Sequence, residues 1–264
     1  GKQINVATSQ KIATALAQNS KTVSEIFGIL REGDIQRINV SAQASDWAQL
    51  ADEKNYVIRG NLVGGKISIP QVSLHLENVR GDATIENGIL KGENAEAQIG
   101  NSFGKQGKIA ISLTEDTAPF HIETLVQADL SQLPPVLANL IEDAKFQKEL
   151  TLIKKIEGTA VGKLIIGEDS RDINVRVMAS DIRLNAEYQR IPYPVIITAG
   201  NLRLDDTRMA LTNIDVSVGK SSLTQLSSKF GWEKSPVLEL SSKSAKVDLT
   251  QLHAWLMQNK SMEE

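Results

Sequence analysis

Gly100-Asn101-Ser102 followed by Asp129-Leu130-Ser131-Gln132-Leu133, and Gly219-Lys220-Ser221 followed by Asp248-Leu249-Thr250-Gln251-Leu252, are two copies of one pattern, since 219 − 100 and 248 − 129 are both 119. A fixed period of this kind marks a duplicated structural unit. Each copy reads as a strand edge that turns at a glycine, and then as a later strand that leaves into a helix. Neither copy supplies a nucleophile, a general base or a metal ligand set, so the repeat points to architecture.

Around these motifs the apolar residues alternate. Ile67 and Ile69, then Val72, Leu74 and Leu76, then Ala95, Ala97 and Ile99, then Ile109, Ile111 and Leu113 follow the period of two expected of half-buried antiparallel strands. The second copy repeats the plan through Leu164 and Ile166, Ile173, Val175 and Val177, Ile182 and Leu184, Val195 and Ile197, Ile214, Val216 and Val218, and Phe230 and Trp232. Turns are expected at Gly64-Gly65, at Asn87-Gly88 and in the loop Gly104 to Gly107, Asn87-Gly88 being the strongest hairpin signal.

Helical periodicity occurs in three places. From Thr8 to Leu30 the residues Ile12, Leu16, Val23, Ile26, Phe27 and Leu30 form one helical stripe, which Gly33 is expected to end. A second stripe, Leu133, Val136, Leu137, Leu140, Ile141 and Ala144, begins at Pro134-Pro135, where a first helical turn tolerates proline, and ends before Gly158. Leu249 to Lys260 starts a third helix. The expected fold is mainly β (α+β). It is a long curved antiparallel meander of two repeated units, 1–132 and 133–264, each a helix plus strands, with a short C-terminal helix packed against the sheet. The two units read as one continuous domain of a longer chain. One curved sheet and two packed sheets share this periodicity, and both stay open.

Composition narrows the function classes. The 264 residues are 41% hydrophobic, enough for a sizeable core. A net charge of −3 offers no basic stripe for nucleic acid. The chain has no cysteine, which removes disulfides, thiolate metal sites and a cysteine nucleophile. His75, His121 and His253 lie far apart in no metal-ligand spacing. The acidic pairs Glu115-Asp116, Glu142-Asp143, Glu168-Asp169 and Asp205-Asp206 read as turns or solvated helix faces. No phosphate loop, nucleophile elbow or dinucleotide fingerprint is present, and the chain is expected to be non-enzymatic with no cofactor or metal. No segment is long and apolar enough to span a bilayer as a helix.

What remains is aliphatic surface. Ile109, Ile111, Leu113, Val175, Val177, Val216 and Val218 are the candidate lining of an apolar groove wide enough for acyl chains. The competing reading is that the same face is a core covered by the helices.

The runs Gly60-Asn-Leu-Val-Gly64-Gly-Lys-Ile-Ser-Ile-Pro70, Leu76-Glu-Asn-Val-Arg-Gly81, Ile85-Glu-Asn-Gly88-Ile-Leu-Lys-Gly92 and Ala97-Gln-Ile-Gly100-Asn-Ser102 resemble the AsmA-like proteins of Gram-negative bacteria, a clan that includes TamB-like members. Tyr188-Gln-Arg-Ile-Pro192, Gly219-Lys-Ser-Ser-Leu223 and Phe230-Gly-Trp232 extend the likeness, which covers most of residues 34 to 256. The resemblance implies a periplasmic β-sheet body, tethered to the inner membrane by an anchor outside this chain, in outer-membrane biogenesis or phospholipid transport. The implied partners are phospholipid and neighbouring segments or envelope proteins. It carries no catalytic residues over. A structural or protein-interaction module without lipid binding is the alternative, in which an exposed strand edge would do the pairing.

Overall fold

A computed structural model describes residues 2–16, 20–45, 55–69, 74–113, 120–132, 134–135, 138, 144–167, 174–205, 207–231 and 237–260. The expected strand residues Val72, Ile173 and Trp232, the helix positions Leu133, Val136, Leu137, Leu140 and Ile141, and the acidic pairs other than Asp205 lie outside them.

The chain is mainly β. Its strands are β1 (Lys2–Asn5), β2 (Leu30–Ala42), β3 (Tyr56–Ile69), β4 (Leu74–Glu86), β5 (Ile89–Ile99), β6 (Ser102–Ser112), β7 (Phe120–Asp129), β8 (Ile153–Ile166), β9 (Val175–Tyr188), β10 (Val195–Leu204), β11 (Arg208–Val218), β12 (Ser221–Gly231), β13 (Val237–Ser241) and β14 (Ser244–Lys246). They form one 14-stranded meander sheet in chain order from β1 to β13, with β14 beside β12. The antiparallel meander is therefore as expected, and the question of one sheet or two is answered by one. Helices α1 (Val6–Leu16), α2 (Lys21–Ile29), α3 (Ala144–Thr151) and α4 (Leu249–Lys260) accompany it, with a 3₁₀ turn at Leu130–Gln132. Two compact units result, residues 1–126 with 163–175, and 127–162 with 176–264.

Tight two-residue turns join β4 to β5, β5 to β6 and β11 to β12, where Glu86 faces Ile89, Ile99 faces Ser102 and Val218 faces Ser221. Their turn residues are Asn87-Gly88, Gly100-Asn101 and Gly219-Lys220, and positive φ at Asn87, Gly88, Gly100 and Gly219 suits such turns.

Three expectations are corrected. Gly64-Gly65 and Gly104 to Gly107 are not turns; they lie inside β3 and β6 as bulges, with Gly64 at φ 62° and Gln106 at φ 54° and the ladder slipping beside each. The stripe from Thr8 to Leu30 is not one helix. Ser20 caps a new helix by accepting a hydrogen bond from the Val23 N–H at 3.2 Å, so α2 starts afresh after α1. Gly33 does not end that helix, because Leu30 is already extended at φ −88°, ψ 105°. Gly33 sits in β2 at φ +129°, where a Cβ would come within 2.8 Å of the Gly65 Cα. Glycine is needed there for a close strand approach and not for a helix stop.

In the first unit the apolar residues gather into one buried cluster with a half-buried surround. Ile29, Ile69, Ile111, Leu113, Phe120, Ile122 and Ile166 are buried together, with Ile26 of α2 and Ile85, Leu90 and Ile109 packed on them. In the second unit the buried cluster is smaller, Leu130, Ala160 and Ile182, with Ala179, Leu184, Ile197 and Leu202 half-buried around it.

Ile69 is fully buried. Ile69→Ala is expected to cost about 2–5 kcal/mol, read as a lowered midpoint in urea unfolding followed by circular dichroism.

Candidate functional site

The apolar side chains of the second unit are arranged by register. Across β9, β10, β11, β12 and β13 one row runs Val177, Leu204, Met209, Phe230 and Leu238. A second row runs Ala179, Leu202, Leu211, Ser228 and Leu240. Past the bulges at Asn213 and Gln225, a third runs Leu184, Ile197, Val216, Leu223 and Ala245, the last on β14, and a fourth runs Ala186, Val195, Val218 and Ser221. Because strand side chains alternate, residues that face each other across the ladder share one side of the sheet. Most of these side chains are only half-buried, and Leu238 and Leu240 are 60% and 63% exposed.

The third and fourth rows end in a cavity of about 240 Å³ beneath α4, walled by Val216, Val218, Leu223, Leu252, Tyr193 and Trp255 among others. Three hydrogen bonds hold the helix over it. The Gln251 side-chain oxygen accepts from the Lys220 N–H at 2.8 Å, the Asp248 N–H donates to the Ser221 hydroxyl at 3.0 Å, and the Trp255 indole N–H donates to the Arg190 carbonyl at 2.7 Å. Asp248 is also the helix cap, accepting from the Gln251 N–H at 2.9 Å. In this copy the two halves of the repeated motif touch: the Gly219-Lys220-Ser221 turn is the seat of the Asp248-to-Leu252 helix start. Gly219, at φ +57°, allows the fit, since a Cβ there would lie 2.5 Å from the Gln251 side-chain oxygen. In the first copy Asp129 accepts from the Ser131 N–H at 3.0 Å and opens the 3₁₀ turn.

The Arg190 turn is fixed from its other side. Glu149 of α3 accepts from Arg190 at 2.6 and 3.1 Å and from the Tyr188 hydroxyl. The hydrogen bonds from Arg190 and then Tyr188 hold the Glu149 carboxyl below the usual range, while burial opposes them. Burial, and next the Glu149 hydrogen bond, raise the Tyr188 hydroxyl.

The candidate groove residues divide. Ile111 and Leu113 are buried in the core of the first unit, and Ile109 and Val175 pack half-buried against it. Val216 and Val218 line the cavity of the second, and Val177 stands in its first row. Tyr193, Leu252 and Trp255 were not among the candidates, although the repeated Asp-Leu-Thr-Gln-Leu motif pointed at the helix that carries two of them.

Other polar groups are surface features. His75 accepts or donates a bond with the Ser68 hydroxyl at 3.1 Å, and His121 lies 3.7 Å from Glu123. Glu123 is lowered chiefly by its hydrogen bond to Lys163, against burial, and a carboxyl held ionised is not poised to give a proton. Asp205 ties a turn by accepting from the Thr207 and Arg208 N–H groups at 3.1 Å. Among the described residues no cluster of three or more histidine, aspartate or glutamate side chains could hold a metal, and no helix is long and apolar enough to cross a membrane. The chain matches no family model, no curated protein and no solved structure.

Two outcomes are expected. Gly219→Ala pushes the Gln251 side chain off Lys220, so hydrogen exchange at the α4 amides quickens while the β4–β5 hairpin amides are unchanged. Because the folded Glu149 pKa is lowered, its contribution is full above the unfolded carboxyl range and fades as pH falls through the folded value. Tyr188, raised, contributes below the ordinary tyrosine range and fades as pH climbs through its folded value. Glu149→Gln therefore flattens the acid side of a plot of melting temperature against pH.

Proposed function

We propose that this chain is a non-enzymatic, lipid-binding segment of a periplasmic AsmA-like envelope protein, and that phospholipid acyl chains lie along the apolar face of its second unit. The observation that carries the reading is the set of cross-strand apolar rows over β9 to β13, most of whose side chains remain half-buried around a small cluster of three buried residues, where the first unit gathers seven buried residues into one core. Apolar surface left in contact with water costs roughly 25 cal/mol per Å², and a sheet that keeps such rows has a use for them, in binding a partner or an apolar ligand. Binding and sliding need no bond chemistry, in keeping with the absence of any catalytic motif in the sequence. Under this reading the protein works in outer-membrane biogenesis or lipid transport, on the periplasmic side of the inner membrane, held there by an anchor outside this chain, with other segments or envelope proteins adjoining.

A second reading, a protein-interaction module without lipid, is favoured by one feature. Strand β13 is exposed at every residue and carries Val237, Leu238 and Leu240 outward at the sheet's margin.

Organic-solvent extraction of the detergent-free protein, followed by mass spectrometry, separates the two. Stoichiometric phospholipid is expected from the parent chain and little from Val177→Lys/Leu211→Lys, whose positions are half-buried and tolerate a charge without loss of the sheet's circular dichroism. An extract free of lipid from the parent chain would leave the interaction module as the reading.

A further inference from the structure

The cavity beneath α4 differs from the rows that lead to it, because it has a roof and an end. On the sheet side Val216, Val218 and Leu223 line it beside Ser222 and Lys246, and Leu252 and Trp255 of the helix and Tyr193 of the β9–β10 connection cover it in part. At about 240 Å³ it falls short of the roughly 300–1,000 Å³ typical of pockets for whole drug-sized ligands. Among the described residues no buried side-chain nitrogen or oxygen lacks a hydrogen-bond partner. The two polar groups of the roof are in use: Gln251 accepts from Lys220, and the Trp255 indole donates to Arg190. Ser222 and Lys246 border the cavity, but its surface is almost wholly apolar, so a ligand with polar groups of its own would lose their hydration here and find little to replace it. Sugars, nucleotides and charged head groups are thereby disfavoured in the cavity itself.

The outlet sets the ligand's shape. From Val216 the row continues through Ile197 to Leu184, and from Val218 through Val195 to Ala186, all on the same side of the sheet. A compact apolar molecule would fill the cavity and leave those rows wet. A long, thin one covers both, with its end under the helix and its body along the strands.

We infer that the cavity under α4 is an end-stop that takes the methyl end of a single unbranched acyl chain, with the polar head left outside on the sheet. This rests on the reading that the apolar face of the second unit contacts lipid, and it adds a fixed terminus to that face. Trp255 in the roof is a built-in reporter.

The test is quenching of tryptophan emission in the whole chain by two probes brominated near the methyl end, palmitate and a phosphatidylcholine, with Trp255→Phe identifying the share that belongs to the roof. The expected result is quenching that vanishes in Trp255→Phe and is at least about tenfold weaker in affinity in Val218→Asp, because a charge is set against hydrocarbon. Val216→Phe, which fills the cavity with apolar bulk, is expected to lose the quenching while keeping parental circular dichroism, so that the result does not depend on Val218→Asp folding. Quenching by palmitate alone assigns the site to free fatty acid, and quenching by both assigns it to the acyl chain whatever its head. Absence of quenching with either probe overturns the end-stop. If phospholipid still extracts with that protein, the lipid-binding face stands without it; if none does, both readings fall.

Discussion

A sheet one layer thick satisfies its backbone hydrogen bonds strand by strand, but it leaves one apolar face that water must not cover, and everything else in this chain is arranged around that face. The two units meet the constraint differently. In the first, α2 lays Ile26 and Ile29 on the sheet, and Ile69, Phe120 and Ile122 close in with Ile29 in a cluster of seven buried residues, with half-buried side chains such as Ile67 and Leu76 around it. In the second, Leu130, Ala160 and Ile182 form a smaller buried cluster and Ala186, Leu204 and Ile214 are buried outside it, while most of the other row residues stay half-covered. The same alternation of residue types therefore yields a larger buried cluster in one place and a smaller one in the other.

The ladder is interrupted with unusual regularity. Asn78 in β4, Asn94 in β5, Gln106 in β6, Lys155 in β8, Asp181 in β9, Asn213 in β11 and Gln225 in β12 all hold positive φ inside a strand. Asparagine and aspartate adopt this conformation at little cost, whereas lysine and glutamine give up about 1–2 kcal/mol. The pairing slips beside Asn94 and Gln106, and again beside Asn213 and Gln225, as a bulge requires. Each bulge bends its strand and increases its twist. Long strands that bend can bring residues from distant hairpins together, which is how Ile69 comes to share a cluster with Phe120. In the second unit the bulges at Asn213 and Gln225 separate the two rows that run toward β13 from the two that end at the cavity.

How much of this was legible in the sequence follows from what each signal measures. Period-two alternation and the Asn87-Gly88, Gly100-Asn101 and Gly219-Lys220 turns were readable because their causes are local. Gly64-Gly65 and Gly104 to Gly107 misled because glycine pairs mark bulges as readily as turns, and only the partner strand decides between them. Strand β2 was hidden by Arg31, Glu32, Asp34 and Arg37, which blur its alternation with charge near one margin of the sheet. The break between α1 and α2 rested on one serine cap within a stripe that continued past it. At the site, Val216 and Val218 followed from alternation, but Ile111 and Leu113 carry the same pattern and lie in a closed core. Alternation reports which side a residue takes, and not what covers that side.

The duplicated motif has a physical reason in its second copy. Helix α4 is short, and Leu249, Leu256 and Met257 on its outer side are 74%, 50% and 56% exposed. A helix of that length gains little from its own hydrogen bonds, so its place on the sheet depends on tertiary contacts. Those contacts are few and specific: the Lys220 amide on Gln251, the Ser221 hydroxyl on the Asp248 amide, and the Arg190 carbonyl on Trp255. Each comes from a turn or a turn-flanking residue, at a place fixed by the strand register, so the roof is positioned by the same ladder that sets the rows beneath it. A change of one residue in the β11–β12 register would move the Gly219-Lys220 seat away from Gln251 and turn Val216 and Val218 to the opposite side of the sheet. Two of the three roof contacts and the Val216–Val218 wall are thus specified by a single alignment of two strands.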